Sequence, residues 1–294
     1  MMRKQIIFLL ILCFFVSCNN RETKIEKEKL LGNDYRLFQN TAAWELAKAV
    51  QDENLPKIKE EIVQKKININ FQEPRFGSTL LMLAIRNSQY QITKTLLEIG
   101  ADPNLSDSYR GESAVISAAN NNDPKYLELI LKYKGNPNAL EKAPTKEGDQ
   151  ARSAALNIAI NLLDANSFKK VKLLVEAGAD VNYSNEGPEV YTKLPLADAI
   201  TARKMDIALY LLEKEADYKR VMYTRIDNEQ IFILEALRQC LIELNSDQYK
   251  HKLEVIDFLK EKGLDYNKEP IPDYILEDIK KKYPKNWKDY IKRY

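Results

Sequence analysis

Residues 96–104 read LLEIGADPN: an apolar pair, a glycine, an acid two residues after it and a closing asparagine. A helix that buries Leu96 and Leu97 ends where the backbone can turn left-handed, which Gly100 does without a side-chain clash. Asp or Asn just beyond can hydrogen-bond local backbone and turn the chain outward. Similar endings occur elsewhere: KKININ closes at Asn70, ILKYKGNPN at Asn138, LVEAGADVN at Asn182, LLEKEADYK at Lys219 and FLKEKGLDYN at Asn267. Positions 70, 104, 138, 182, 219 and 267 lie 34, 34, 44, 37 and 48 residues apart. A unit of about 33 residues lengthened by insertions has the period of a solenoid.

Each unit has the same internal order. A polar turn leads to a short apolar helix containing alanine (Ala84, Ala118, Ala159, Ala199, Ala236), which admits a close neighbour. A second helix carries an apolar pair such as Leu96-Leu97, Ile130-Leu131, Leu174-Val175 or Leu211-Leu212. Such a pair is covered only by the preceding and following units, so stacking supplies the core.

From Thr41 to Asn267 the chain resembles the ankyrin repeat, on Gly77-Ser78-Thr79-Leu80-Leu81-Met82-Leu83-Ala84 followed by LLEIGADPN, and on LVEAGADVN. The resemblance implies an all-α ankyrin-repeat solenoid of about six repeats over 41–269 with protruding β-turn fingers. It also implies a non-enzymatic role in protein binding. Departures are visible. Leu80 and Met82 stand where the family has proline and histidine, and Pro195 alone keeps its place. Lys134 and Glu215 replace the helix-ending glycine, with Gly135 available to take the turn one residue later. Insertions are expected near 141–151 (KAPTKEGDQ) and 245–251 (NSDQYKH), either as binding loops or as drift at tolerant sites.

The amino terminus reads as an address. MMRKQ is positive, and IIFLLILCFFV is an apolar run of eleven residues, short of the roughly 20 a spanning helix needs. Residues 1–17 are therefore expected to be a signal peptide. FVSC resembles a lipobox, with Cys18 as the acylated residue and the membrane as a partner through it; an ordinary secreted protein is the competing reading. Charged residues over 18–40, including RETKIEKEKLLGND, suggest a solvated tether. The expected location is the bacterial cell envelope, lipid-anchored on the periplasmic face or the cell surface.

Without Arg3 and Lys4 the 45 basic residues become 43, against 43 acidic ones. That balance disfavours nucleic acid. Cys13 leaves with the signal peptide and Cys18 takes lipid, so Cys240 is unpartnered and expected to be a buried apolar filler. His251 is the one histidine, in the charged stretch YKHKLEV. No metal or cofactor is expected. Asp52-Glu53 and Glu60-Glu61 lie among lysines and are expected to be solvated. An envelope enzyme built on scattered carboxylates and a purely structural envelope role stand as alternatives to binding.

The last segment, 270–294, is expected to cap the final repeat, its stripe of Trp287, Tyr290, Ile291 and Tyr294 covering exposed core; contact with anionic headgroups is the alternative. By resemblance, an unidentified protein partner meets the turns before each first helix. Two successive turns carry an aromatic and an arginine before glycine, Arg75-Phe76-Gly77 and Tyr109-Arg110-Gly111, with Tyr183 and Tyr191 extending the patch. Aromatics and arginine are enriched at interface hot spots; the competing reading packs Phe76 and Tyr109 onto their own turns. A monomer is expected.

Overall fold

The computed structural model describes residues 26–141, 152–184 and 194–294. Among the described residues six antiparallel helix pairs follow one another. They are α1 (Trp44–Gln51) with α2 (Leu55–Lys59), α3 (Leu80–Arg86) with α4 (Tyr90–Glu98), and α5 (Ala114–Asn120) with α6 (Lys125–Lys132). Then come α7 (Ala155–Asn161) with α8 (Ser167–Glu176), α9 (Pro195–Thr201) with α10 (Met205–Glu213), and α11 (Ile233–Gln239) with α12 (Asp247–Glu261). First helices stack on first helices and second on second through the array. This is the all-α ankyrin-repeat solenoid.

The first helices lie between neighbours on both sides with second helices behind them. In α3 every residue from Leu80 to Ile85 is therefore buried, and Ala84, Ala118, Ala159 and Ala199 are fully covered. Antiparallel bridges Ser106–Ser113 and Leu140–Ala154 close the bases of two fingers. A third finger forms a hairpin, β1 (Tyr223–Thr224) paired with β2 (Gln230–Ile231).

The repeated ending has two jobs. Within a unit it stops the second helix: Gly100 N–H donates to the Leu97 carbonyl and Ala101 N–H to that of Leu96, a pattern repeated at 134–135, 178–179, 215–216 and 263–264. Lys134 (φ 65°) and Glu215 (φ 66°) adopt the left-handed turn themselves. Gly135 does not relieve Lys134; a Cβ there would lie 2.6 Å from Ile130 Cγ2 and 2.9 Å from Val115 Cγ2, so this glycine serves close packing.

Between units the closing asparagine acts as a rivet. Asn104 Oδ1 accepts from Asn136 N–H at 2.7 Å while its Nδ2 donates to the Lys134 carbonyl at 3.0 Å. Asn138 does the same to Asp180 N–H (2.7 Å) and the Gly178 carbonyl (3.0 Å). Asn182 reaches Asp217 N–H (2.7 Å) and the Glu215 carbonyl (3.2 Å). Asn70 accepts from Asp102 N–H at 2.9 Å. Lys219, at the fifth ending, has no amide to offer the sixth. Asn138→Ala removes one acceptor and one donor joining the third unit to the fourth. Urea denaturation is expected to show a loss of about 1–2 kcal/mol, limited by exposure of the site to water.

Two expectations change at the ends of the array. Residues 26–40 are packed, not a solvated tether. Short 3₁₀ turns at Lys27–Lys29 and Tyr35–Phe38 place Leu30, Tyr35, Leu37 and Phe38 in the core. Lys27 Nζ donates to the carbonyls of Leu37 (2.8 Å) and Gln39 (2.6 Å). These apolar side chains cover the exposed end of the first unit, which offsets the charge density around them. NSDQYKH is also no loop: the Ser246 side chain accepts from Tyr249 N–H at 3.2 Å and caps α12, which is lengthened to fifteen residues. The other insertion, 142–151, lies outside the described residues.

Beyond the sixth unit, α13 (Asp273–Lys282) and α14 (Trp287–Arg293) pack on each other and against Leu241 and Leu244 of the connection between α11 and α12. Tyr290 OH donates to the Ile242 carbonyl at 2.7 Å, Tyr249 OH to that of Arg293 at 2.6 Å, and Tyr294 OH to that of Arg238. Trp287 and Ile291 are only partly buried against this cluster. Beneath it Lys252, 1% exposed, points its Nζ at the Cys240 carbonyl (3.2 Å) and over the Tyr294 ring (4.1 Å), with Arg238 and Tyr266 alongside.

Burial pushes the Lys252 ammonium down to about 7. An unfolded lysine titrates near 10.4, so between those values the folded protein binds fewer protons and stability rises with pH. Below about 7 the lysine's penalty is constant. From about pH 8.5 the buried Cys240 thiol, which resists ionisation, opposes this rise, and above pH 10 the buried Tyr266, Tyr290 and Tyr294 reverse it. Urea melts from pH 7 to 9.5 are expected to gain up to about 1.4 kcal/mol per unit. Lys252→Met is expected to flatten most of that slope, leaving a residue from Lys204, which burial also lowers.

Candidate functional site

The first two fingers are built around buried carboxylates. Glu73, 1% exposed, accepts from the N–H groups of Arg75 (2.7 Å), Phe76 (2.9 Å) and Ser78 (3.1 Å). One repeat later, Asp107 Oδ1 accepts from Tyr109 (3.2 Å), Arg110 (2.9 Å), Gly111 (3.0 Å) and Glu112 (3.3 Å). Each acid gathers the N–H groups of a tight turn that has few backbone partners, and so sets where the finger's side chains point. Gln72 Nε2 bridges the carbonyls of Gly77 and Ser106, both at 2.8 Å, and Ser108 N–H donates to Phe76 carbonyl at 2.8 Å. The two fingers form one rigid edge.

On that edge Phe76 and Tyr109 meet edge-on, ring centroids 5.5 Å apart at 75°, with Tyr109 56% exposed. The Arg75 guanidinium lies over the Phe76 ring, 4.4 Å from its centroid. A hollow of about 330 Å³ opens beside them, lined by Gly32, Asn33, Phe76, Arg86, Tyr109 and Arg110 among others. At its floor Arg86 is engaged by the Gly32 carbonyl and Ser78 Oγ, both at 3.0 Å, and by Glu112 at 3.3 Å.

Arg75, Phe76 and Tyr109 are thus in one cluster on adjacent fingers. Arg75 is not free to meet a partner, because its guanidinium donates to the carbonyls of Lys27, Glu28 (2.6 Å) and Leu30 (2.7 Å). Its removal is therefore expected to loosen the amino-terminal segment as well as the edge. Arg110 turns to Glu141 on the next finger at 2.9 Å. Tyr183 sits further along, its OH 3.2 Å from the Arg152 carbonyl, and burial raises its pKa. Tyr191 lies outside the described residues, as does Cys18. Glu73 and Asp107 were the residues a reading of side-chain types passed over; the visible signal is an acid four positions before each finger glycine.

The carboxylate pairs do not converge on a cleft. Glu61 is buried at 2% exposure, not solvated, and is neutralised by Lys65 (2.8 Å) and Lys57 (3.3 Å) on a π-helical turn, Glu60–Gln64. Glu60 pairs with Lys57 at 2.9 Å and is lowered chiefly by that hydrogen bond. His251 meets Glu254 at 2.8 Å on the surface of α12. Cys240 is buried, with Sγ 3.0 Å from the Ile200 carbonyl, and burial raises its pKa. Among the described residues no group of three acids, histidines or cysteines is placed to hold a metal, and no helix is long and apolar enough to cross a membrane.

Residues 46–142 match the family model for ankyrin repeats (three copies). The transient receptor potential channel pyrexia of Drosophila melanogaster is 34% identical over 126 residues, 43% of this chain and 12% of that one. The nuclear factor NF-kappa-B p105 subunit of Gallus gallus is 34% identical over 146 residues, 49% of this chain and 14% of that one. The chain thus spans under a sixth of the length of either. An ankyrin repeat protein of Coxiella burnetii is 24% identical over 234 residues, 69% of this chain and 68% of that one. A crystal structure of an ankyrin repeat protein superposes with TM-score 0.49 at 23% identity, covering 74% of this chain and 96% of the other. The riveted helix pairs and the family match agree over residues 46–142, which carry ankyrin repeats.

Proposed function

We propose that the protein is a non-enzymatic binding scaffold, a monomeric ankyrin array tethered to the bacterial cell envelope by an acylated Cys18 and capturing a protein partner on its finger edge. The observation that carries this reading is the Phe76–Tyr109 pair: an exposed aromatic edge on turns whose geometry is held from below by Glu73 and Asp107. Rigid aromatic side chains bury large area at low entropic cost, and pre-organised turns add to that advantage. Support for the anchor comes from FVSC after the eleven-residue apolar run. Two acyl chains or more, each CH₂ contributing about 0.8 kcal/mol, make attachment stable.

Cys18→Ser is expected to leave the protein unprocessed or release it from membranes, with loss of fatty-acid labelling. Equal partitioning without label in wild type and variant refutes the anchor. Co-purification from envelopes with a tagged mature chain identifies the partner. Against it, Tyr109→Ala is expected to weaken binding by about 1–2 kcal/mol with an unchanged melting curve. Wild-type affinity in that variant moves the site to the faces of the first helices.

A further inference from the structure

The amino-terminal segment is a strap laid against the finger edge. Arg75 holds three of its carbonyls, Arg86 Nη1 takes the Gly32 carbonyl at 3.0 Å, and Asn87 Nδ2 takes that of Asn33 at 2.8 Å. Tyr35 OH donates to Gln89 Oε1, and Phe38 packs 6.2 Å from Phe71. The contacts are to fixed backbone carbonyls, so they clamp the path of the chain. Arg75 joins strap and edge directly, since the guanidinium that grips Lys27, Glu28 and Leu30 also covers the Phe76 ring. Gly32 and Asn33 form one wall of the hollow beside Tyr109.

The strap sets a distance. A flexible chain over 19–40 averages about 25 Å end to end and stretches to about 75 Å. With the chain clamped from residue 27, only residues 19–26 separate Cys18 from Arg75's grip. Whatever their conformation, they span at most about 30 Å. We propose that residues 26–38 hold the Phe76–Tyr109 edge at the membrane surface, making it an interaction surface for a membrane-resident protein that presents its site close to the headgroups. This rests on the anchored-scaffold reading.

The test uses the lipidated full chain in phosphatidylethanolamine and phosphatidylglycerol vesicles that carry a headgroup-linked acceptor dye. The donor dye is placed at Tyr109→Cys, with Cys240 buried and out of reach. Fatty-acid labelling of Cys18 is measured in parallel. Energy transfer is expected to be efficient, and to fall by about half when about twenty Gly/Ser residues are inserted between Ile25 and Glu26. Arg75→Ala, which frees the strap, is expected to lower it in the same direction. The insertion leaves every strap contact in place, so it decides the matter if Arg75→Ala fails to fold. Labelled protein whose transfer ignores the insertion overturns the strap's role and leaves the anchor standing. Protein that neither labels nor binds vesicles overturns the anchor and this inference together. In intact envelopes, a photo-cross-linker at 109 is expected to join the chain to a protein that survives alkaline carbonate washing; adducts only with washed-off proteins overturn the membrane-resident assignment.

Discussion

Gly77→Val is expected to lower stability by about 3–5 kcal/mol in urea denaturation. The backbone there has φ +76°, and a Cβ would stand 2.6 Å from Ser108 N and 2.7 Å from its Oγ. Two penalties add: a β-branched residue in the left-handed region, and a side chain driven into the neighbouring finger at the Ser108–Phe76 hydrogen bond. Gly100→Ala is the control. It has φ +107° but nothing within 4 Å, so only the backbone penalty of about 1–2 kcal/mol applies. Equal losses in the two variants contradict close packing of the fingers.

Asp107→Ala is expected to cost about 2–4 kcal/mol and to disorder the second finger. Four N–H groups lose their shared acceptor at once, and Arg86, 3.5 Å from the other carboxylate oxygen, loses a counter-charge. Asp107→Asn keeps an oxygen for the turn and is expected to recover most of the loss. Amide chemical shifts of residues 109–112 should move widely in the alanine variant and little in the asparagine one. Intact shifts in Asp107→Ala would mean that the finger holds its shape without the carboxylate, and that pre-organisation of Tyr109 has another source.

What was legible in the sequence was what is local. The helix stop at Gly100, the apolar pair before it and the Asp-x-Asn after it lie within nine residues, so partial recurrences of that pattern mark the later units, while KKININ keeps only the closing asparagine. The rivets were only half visible. Asn104 could be read as a turn residue, but its partners Lys134 and Asn136 lie a full repeat away. Gly135 misled for a similar reason, its role set by Ile130 and Val115 and not by its own φ.

The strap was illegible because charge dominates its composition while its contacts run 45 to 54 residues downstream. Leu30, Leu37 and Phe38 stand at helical spacing, but Gly32-Asn33-Asp34 interrupts any helix between them, and the chain runs instead through two short 3₁₀ turns. At the edge, the aromatic and arginine side chains were visible as types. The carboxylates that aim them were not, because an acid before a polar turn looks like any solvated charge until its burial is known.

The asparagine of the recurring ending rivets each of the first four units to its successor, and the fifth, which ends in Lys219, lacks that link. Native-state hydrogen exchange of the amides at Asp102, Asn136, Asp180, Asp217 and Asp265 tests it most directly. The first four donate to an asparagine side chain of the preceding unit and are expected to be protected, whereas Asp265, facing a unit that ends in Lys219, is expected to exchange quickly. Five amides exchanging alike would contradict the account.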